Sequence, residues 1–186
     1  AQTIGFRGYY KTSANSKLTA EYHHIGEFRR GGDNIDLPPH MTQIAEQTDH
    51  KIDGGSVRWN YFSPNSRHIF DVHTSVQAIN RDSYYGTGMN PDAYGLTKDL
   101  TLVVGAQYSY LMDRCLFMPA QFTVGCEYSY NDLSDHSIGT RRVLEQTVRT
   151  AGAYLQNEWR SEKVNFVVGG RLDKHSMMNN LIFSPR

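Results

Sequence analysis

The chain has 186 residues, enough for one domain, and its 39% apolar residues can support an ordered structure. Basic and acidic residues balance at 19 each, which argues against a nucleic-acid binder, since such proteins carry a basic excess or stripe. No stretch approaches the roughly 20 apolar residues of a transmembrane helix, and AQTIGFRGYY at the start lacks a signal-peptide layout. A β-barrel stays open, because its strands alternate and escape a hydropathy window. Aromatics at 12%, twelve Tyr and sixteen Gly point to β-structure with many tight turns.

Turn residues divide the sequence into eight predicted strands, and one alternate face of each is mostly apolar. The first, about 3–12, sets Ile4, Phe6, Gly8 and Tyr10 against Arg7, Tyr9 and Lys11. The second, about 17–29, sets Leu18, Ala20, Tyr22, His24 and Phe28 against Lys17, Glu21, His23 and Glu27. The third opposes Val57, Trp59 and Tyr61 to Ser56, Arg58 and Asn60, and the fourth opposes Phe70, Val72, Val76 and Ala78 to Asp71, His73, Ser75 and Gln77. In the fifth, Leu102, Val104, Ala106, Tyr108 and Tyr110 alternate with Thr101, Val103, Gly105, Gln107 and Ser109. The sixth alternates Phe122, Val124, Cys126, Tyr128 and Tyr130 with Thr123, Gly125, Glu127 and Ser129. The seventh sets Ala151, Ala153, Leu155 and Trp159 against Gly152, Tyr154, Gln156 and Glu158, and the eighth sets Phe166, Val168, Gly170 and Leu172 against Val167, Gly169, Arg171 and Asp173. Runs of about ten residues are long for ordinary strands and near the length that crosses a bilayer at a tilt. The final LIF reads as the first residues of a ninth strand, truncated at Arg186.

The connections sort by length. Short ones fall at 13–16, 63–67 and 160–163, a medium one at 113–121, and long polar ones at 30–51, 80–100 and 131–147. Brief turns at one end and extended loops at the other are the plan of an outer-membrane barrel, whereas a soluble sandwich has no reason to sort its loops by side. Aromatics cluster beside the short turns (Tyr10, Trp59, Tyr61, Phe70, Tyr110, Phe122, Trp159, Phe166) and recur near the long loops (Phe28, Tyr128, Tyr130), with an aliphatic band between. Such girdles suit the two bilayer interfaces. The fold class expected is therefore all-β: an antiparallel meander of about eight long strands, part of a transmembrane β-barrel.

The stretches NRDSYYG from Asn80, NPDAYGLTKD from Asn90, PAQFTVGCEY from Pro119, and GRLDKH from Gly170 followed by Phe183-Ser184-Pro185 resemble TonB-dependent outer-membrane receptors. The resemblance runs over most of the chain. It implies a segment of a Gram-negative outer-membrane transporter that imports a scarce large solute, such as an iron–siderophore complex, haem or cobalamin. It also implies outer-membrane lipid, a plug domain and TonB as partners. Residues 1–186 read as one barrel segment carrying neither plug domain nor TonB box. Competing readings are a soluble β-sandwich and a complete eight-stranded barrel whose interior side chains would fill.

No residue pattern announces catalysis, and none is expected; no cofactor or metal is expected either. His23 and His24 point to opposite faces of a strand and cannot chelate one ion, and the remaining histidines fall into no ligand spacing. Asp33 and Asp36 lack the dense carboxylates of a calcium loop. Glu127 and Glu158 share the polar face, where paired carboxylates need not be catalytic. Cys115 and Cys126 read as separate thiols, too far apart across a hairpin for a disulfide. The expected ligand surface is the polar face and loops: Glu21, His23, Arg58, His73, Glu127, Glu158 and Arg171 on the lumen wall, with Tyr84, Tyr85 and Tyr94 as loop aromatics for gripping a macrocyclic or aromatic ligand.

Overall fold

The computed structural model describes residues 1–138 and 141–186. They form one sheet of nine strands, β1 (Gln2–Ser13), β2 (Ser16–Gly32), β3 (Ile44–Phe62), β4 (His68–Thr87), β5 (Tyr94–Cys115), β6 (Met118–Ser137), β7 (Arg142–Arg160), β8 (Asn165–His175) and β9 (Leu181–Pro185). Each pairs antiparallel with the next in chain order, so the sheet is a meander, and β1 and β9 are its open edges. Leu181–Pro185 makes the ninth strand, one more than the eight full strands read from the sequence.

The larger correction concerns length. β3 to β7 run 19 to 22 residues rather than about ten. Most of the three expected long loops is hairpin: only 33–43 and 88–93 separate β2 from β3 and β4 from β5. In the third of those loops, Gly139 and Thr140 lie outside the described residues. The expected medium connection at 113–121 is a tight turn at Leu116 and Phe117. The extensions carry polar residues on both faces, as in Gln47-Thr48-Asp49-His50-Lys51, so no apolar alternation marks them.

The loop after β2 shows why its ends stay fixed. Gly32 has φ +103, and a Cβ there would collide with the Ile44 carbonyl oxygen, so only glycine fits. The Asp33 carboxylate then accepts from the backbone N–H groups of Ile44 at 2.9 Å and Gln43 at 3.3 Å. Asp33 thus closes the loop by holding its far end. A short 3₁₀ turn, Pro39–Met41, folds back against β3 and β4. Beside it lies a small apolar cluster of Ala45, Tyr84 and Ala93, with Tyr94 packed against it.

That cluster is nearly all the buried apolar matter. Among the described residues only Ala45, Tyr84, Ala93 and Ala120 are buried hydrophobics. The apolar face instead stands open along its length, from Phe6 at 67% exposure to Phe166 at 50%. A sandwich buries such a face against a second sheet; a single nine-stranded sheet does not, and the soluble-sandwich reading fails here. The unclosed sheet is likewise no complete eight-stranded barrel.

The register shows how the apolar band lies across the sheet. Tyr10 connects through the ladder to Leu18, Trp59, Val72, Ala106, Cys126, Ala153 and Leu172. The aromatics at the short-turn ends do not follow this row. They step down it: Tyr61 with Phe70, then Tyr110 with Phe122, then Trp159 with Phe166. From β1 to β8 the band slides by the six residues between Phe166 and Leu172, about one residue per strand. At ~3.3 Å per residue and ~4.8 Å between strands, that drift corresponds to strands tilted by roughly 30°. A nine-residue run such as Phe122 to Tyr130 then spans about 25 Å of height, the thickness of the apolar belt on a membrane barrel.

Candidate functional site

With the apolar face committed to lipid, the opposite face is the one a closing barrel turns inward. Strict alternation places Glu21, His23, Arg58, His73, Glu127, Glu158 and Arg171 on it, and the ladder confirms that they share one side: Glu21 faces Ser56, Arg58 faces His73, and Tyr154 faces Arg171. They do not gather into one site. Two grooves hold five of them, and His23 and Glu158 lie outside both.

The first groove, about 440 Å³, is lined by Arg7, Lys17, Glu21, Arg58, Asn60 and His73 among others. Its hub is Asp71, only 7% exposed. Asp71 accepts from Arg58 Nε at 2.5 Å and from the Asn60 amide, and its other oxygen lies 3.2 Å from His73 Nδ1. A buried carboxylate needs such partners to stay charged. Glu21 accepts from the Ser56 hydroxyl at 2.9 Å and lies 3.7 Å from Arg7. His23 and His73 lie over the glycines facing them, Gly54 and Gly105, so closely that a Cβ on either glycine would enter the ring. Both imidazoles therefore rest against the wall in the space the glycines leave open.

The second groove, about 540 Å³, holds Gln107, Glu127, Tyr154, Gln156 and Arg171. Arg171 donates to Asp173 at 2.8 Å and to Glu127 at 3.2 Å, while the Tyr154 hydroxyl donates to Gln107 at 2.7 Å. Glu158 is elsewhere. Glu127 faces Gly152, six residues up β7 from Glu158, which at ~3.3 Å per residue separates the two carboxylates by about 20 Å. Glu158 is instead held by its neighbour Arg160 at 2.8 and 2.9 Å.

The three tyrosines expected in loops are on strands. Tyr84 and Tyr85 end β4 and Tyr94 begins β5. Tyr84 is 1% exposed and donates to the Asn90 carbonyl at 2.9 Å, so its ring is occupied in packing. Tyr94 packs edge-on against it, its hydroxyl 2.7 Å from His40 Nδ1. Only Tyr85 presents an open ring.

Sequence reading missed a cluster on the β4–β7 extensions. The Arg81 guanidinium donates to the Thr97 hydroxyl at 2.8 Å, and Thr97 donates onward to Asp135 at 2.6 Å. Arg142 also bonds Asp135. The Thr97 hydroxyl, then Arg142 and Arg81, hold the Asp135 carboxyl below its ordinary value, against the opposing effect of burial. All four lie in stretches read from the sequence as long polar loops, Arg81 and Thr97 inside the segments that carry the family resemblance and Asp135 and Arg142 outside them. Among the described residues no three His, Cys, Asp or Glu side chains converge as metal ligands, and Cys115 and Cys126 are free thiols.

No curated protein matches the chain. The family model described as TonB dependent receptor-like, beta-barrel matches residues 2–186, in agreement with the open meander, its inclined apolar band and its charged inner face. The chain belongs to the TonB-dependent receptor β-barrel family, whose members are outer-membrane transporters.

Proposed function

We infer that the chain forms part of the wall of a receptor that imports a scarce large solute, an iron–siderophore complex, haem or cobalamin, on energy relayed by TonB from the inner membrane. The observation carrying this reading is the polar face: ionised groups such as Arg58, Asp71, Glu127 and Arg171 are paired along the wall at bilayer depth, where charges persist only beside water or a polar filling. Further strands at the β1 and β9 edges would complete the barrel, and a plug domain would fill the lumen.

Within it, Glu21, His23, Arg58, His73, Glu127, Glu158 and Arg171 would contact solute or plug, with Tyr85 and Tyr94 near the mouth. Tyr84 would support them from behind. Transport is the role, without catalysis. Uptake of radiolabelled ferric siderophore, haem and cyanocobalamin by cells expressing the full natural chain tests this. One solute should accumulate, and accumulation should stop in a strain lacking TonB. Uptake unaffected by TonB loss would overturn the reading.

A further inference from the structure

At the short-turn end of the sheet one turn differs from the others. Ser13-Ala14-Asn15-Ser16, Ser63-Pro64-Asn65-Ser66-Arg67 and Ser161-Glu162-Lys163-Val164 hold neither a leucine nor an aromatic residue. Between β5 and β6 the two turn residues are Leu116 and Phe117, 76% and 58% exposed. Two large apolar side chains left open at the tip of a hairpin mark a surface that meets something apolar.

The backbone of the turn sharpens the point. Leu116 has φ +63, and across it the Phe117 N–H donates to the Cys115 carbonyl oxygen at 2.9 Å. That bond with a positive φ at the middle residue is the rare, strained form of γ-turn. Glycine, asparagine or aspartate would hold such a bend with less strain. Leucine is therefore the wrong residue for the bend alone, and the sheet covers little of its side chain.

Phe117 shows which way the tip leans. Trp159 belongs to the aromatic girdle of the lipid-facing side and pairs with Ala120. An extended strand would carry Phe117, three residues from Ala120, about 10 Å past that row. Instead its ring stacks on the indole, with centroids 5.6 Å and planes 11° apart, and the indole packs onward against Phe166, also at 5.6 Å. Trp159 Nε1 donates at 2.8 Å to the Cys115 carbonyl oxygen, the same atom that accepts from Phe117; its two lone pairs serve both. The girdle thus draws the turn back onto the lipid-facing side, and Phe117 extends the apolar band with Leu116 beside it.

That continuity with the lipid-facing surface identifies the occupant. Aromatic and aliphatic side chains at girdle depth enter the interfacial zone of a bilayer, and apolar burial there offsets the strain at Leu116. We propose that the β5–β6 turn is a membrane-dipping anchor, with Leu116 and Phe117 seated in the leaflet that borders the short turns.

The test uses the full natural chain in phosphatidylcholine vesicles, with Cys115 and Cys126 replaced by serine and a bimane label on R114C, which leaves Leu116 and Phe117 in place. A14C and E162C carry the same label on two of the other turns. Lipids brominated near the headgroup should quench the R114C label at least threefold more than the label on A14C or E162C, and adding L116S/F117S should bring R114C down to their level. Equal quenching at the three positions would overturn the anchor. A label on R114C shielded from iodide and brominated lipid alike would overturn it too, by showing that protein rather than bilayer covers the turn. Quenching unchanged by L116S/F117S would overturn the role of the two side chains. L116S alone, which spares the stack of Phe117 on Trp159, should lower quenching at least twofold and decides the matter if the double variant does not fold.

Discussion

Tyr10 and Phe166 close the apolar faces of β1 and β8 at the same end of the sheet, yet the ladder joins Tyr10 to Leu172, six residues beyond Phe166. The membrane plane therefore crosses the hydrogen-bond rows obliquely, as tilted barrel strands require. Trp59 and Trp159, the only tryptophans, give a direct readout. They sit three rows apart in the ladder but within one row of the same corrected height. In W59F and W159F, lipids brominated near the headgroup should quench the remaining tryptophan to a similar extent. A band parallel to the ladder would displace one indole by about 20 Å and make the two quench profiles differ.

Val103 and Val104 are neighbours with opposite fates. Val104 faces outward between Thr74 and Tyr128, and Val103 inward between Ser75 and Ser129. Val104→Arg should cost about 2–4 kcal/mol on folding into phospholipid vesicles, as a cation near the midplane of the lipid face. Val103→Arg should cost less than about 1 kcal/mol, since the inner wall already carries paired arginines. Urea titration in vesicles measures both, and equal costs would remove the assignment of faces.

Gly105 and Gly169 both face inward but tolerate a side chain differently. A Cβ at Gly105 meets the end of the His73 ring, which can swing away at the cost of its 3.2 Å contact with Asp71. A Cβ at Gly169 meets Gln156 Cβ at 2.7 Å and the Leu155 carbonyl oxygen at 2.8 Å, neither of which can move without the strand. Gly169→Ala should thus lose about 1–3 kcal/mol and Gly105→Ala about 1 kcal/mol or less by the same titration.

Asp135 makes the hairpin extensions sensitive to acid. Its carboxyl is held below the ordinary value of 3.8 by Thr97 first and then by Arg142 and Arg81. A lowered carboxylate contributes stability above its unfolded value and loses it as pH falls through the folded one. Amide exchange of the β6–β7 hairpin, corrected for intrinsic rates, should therefore accelerate below pH about 4. Asp135→Asn should exchange faster at neutral pH and lose that step. Identical acid profiles in both proteins would contradict the assignment.

What the sequence revealed follows from where a face meets lipid. Along Phe122 to Tyr130 every second residue is apolar, so strand, face and band were legible. Beyond Asn131 neither face meets lipid, alternation disappears, and hairpin reads as loop. The same blindness hid Tyr84: its partners Ala45 and Ala93 come from a separate strand and a turn, and nothing periodic links them. Asp71 was visible as one polar residue among several. Its role as hub depends on Arg58 and Asn60, which reach it only once β3 and β4 are in register.

The central claim is one sheet with lipid on one side and an aqueous interior on the other. Cysteine scanning of residues 101–110 in the full natural chain, with Cys115 and Cys126 replaced by serine, tests it most directly. In vesicles, a small water-soluble maleimide should label positions 101, 103 and 107 and leave 102, 104, 106 and 108 largely unreacted; Gly105, beneath the His73 ring, and the buried Ser109 are omitted from the comparison. Uniform labelling along the strand, or the reverse alternation, would contradict the account.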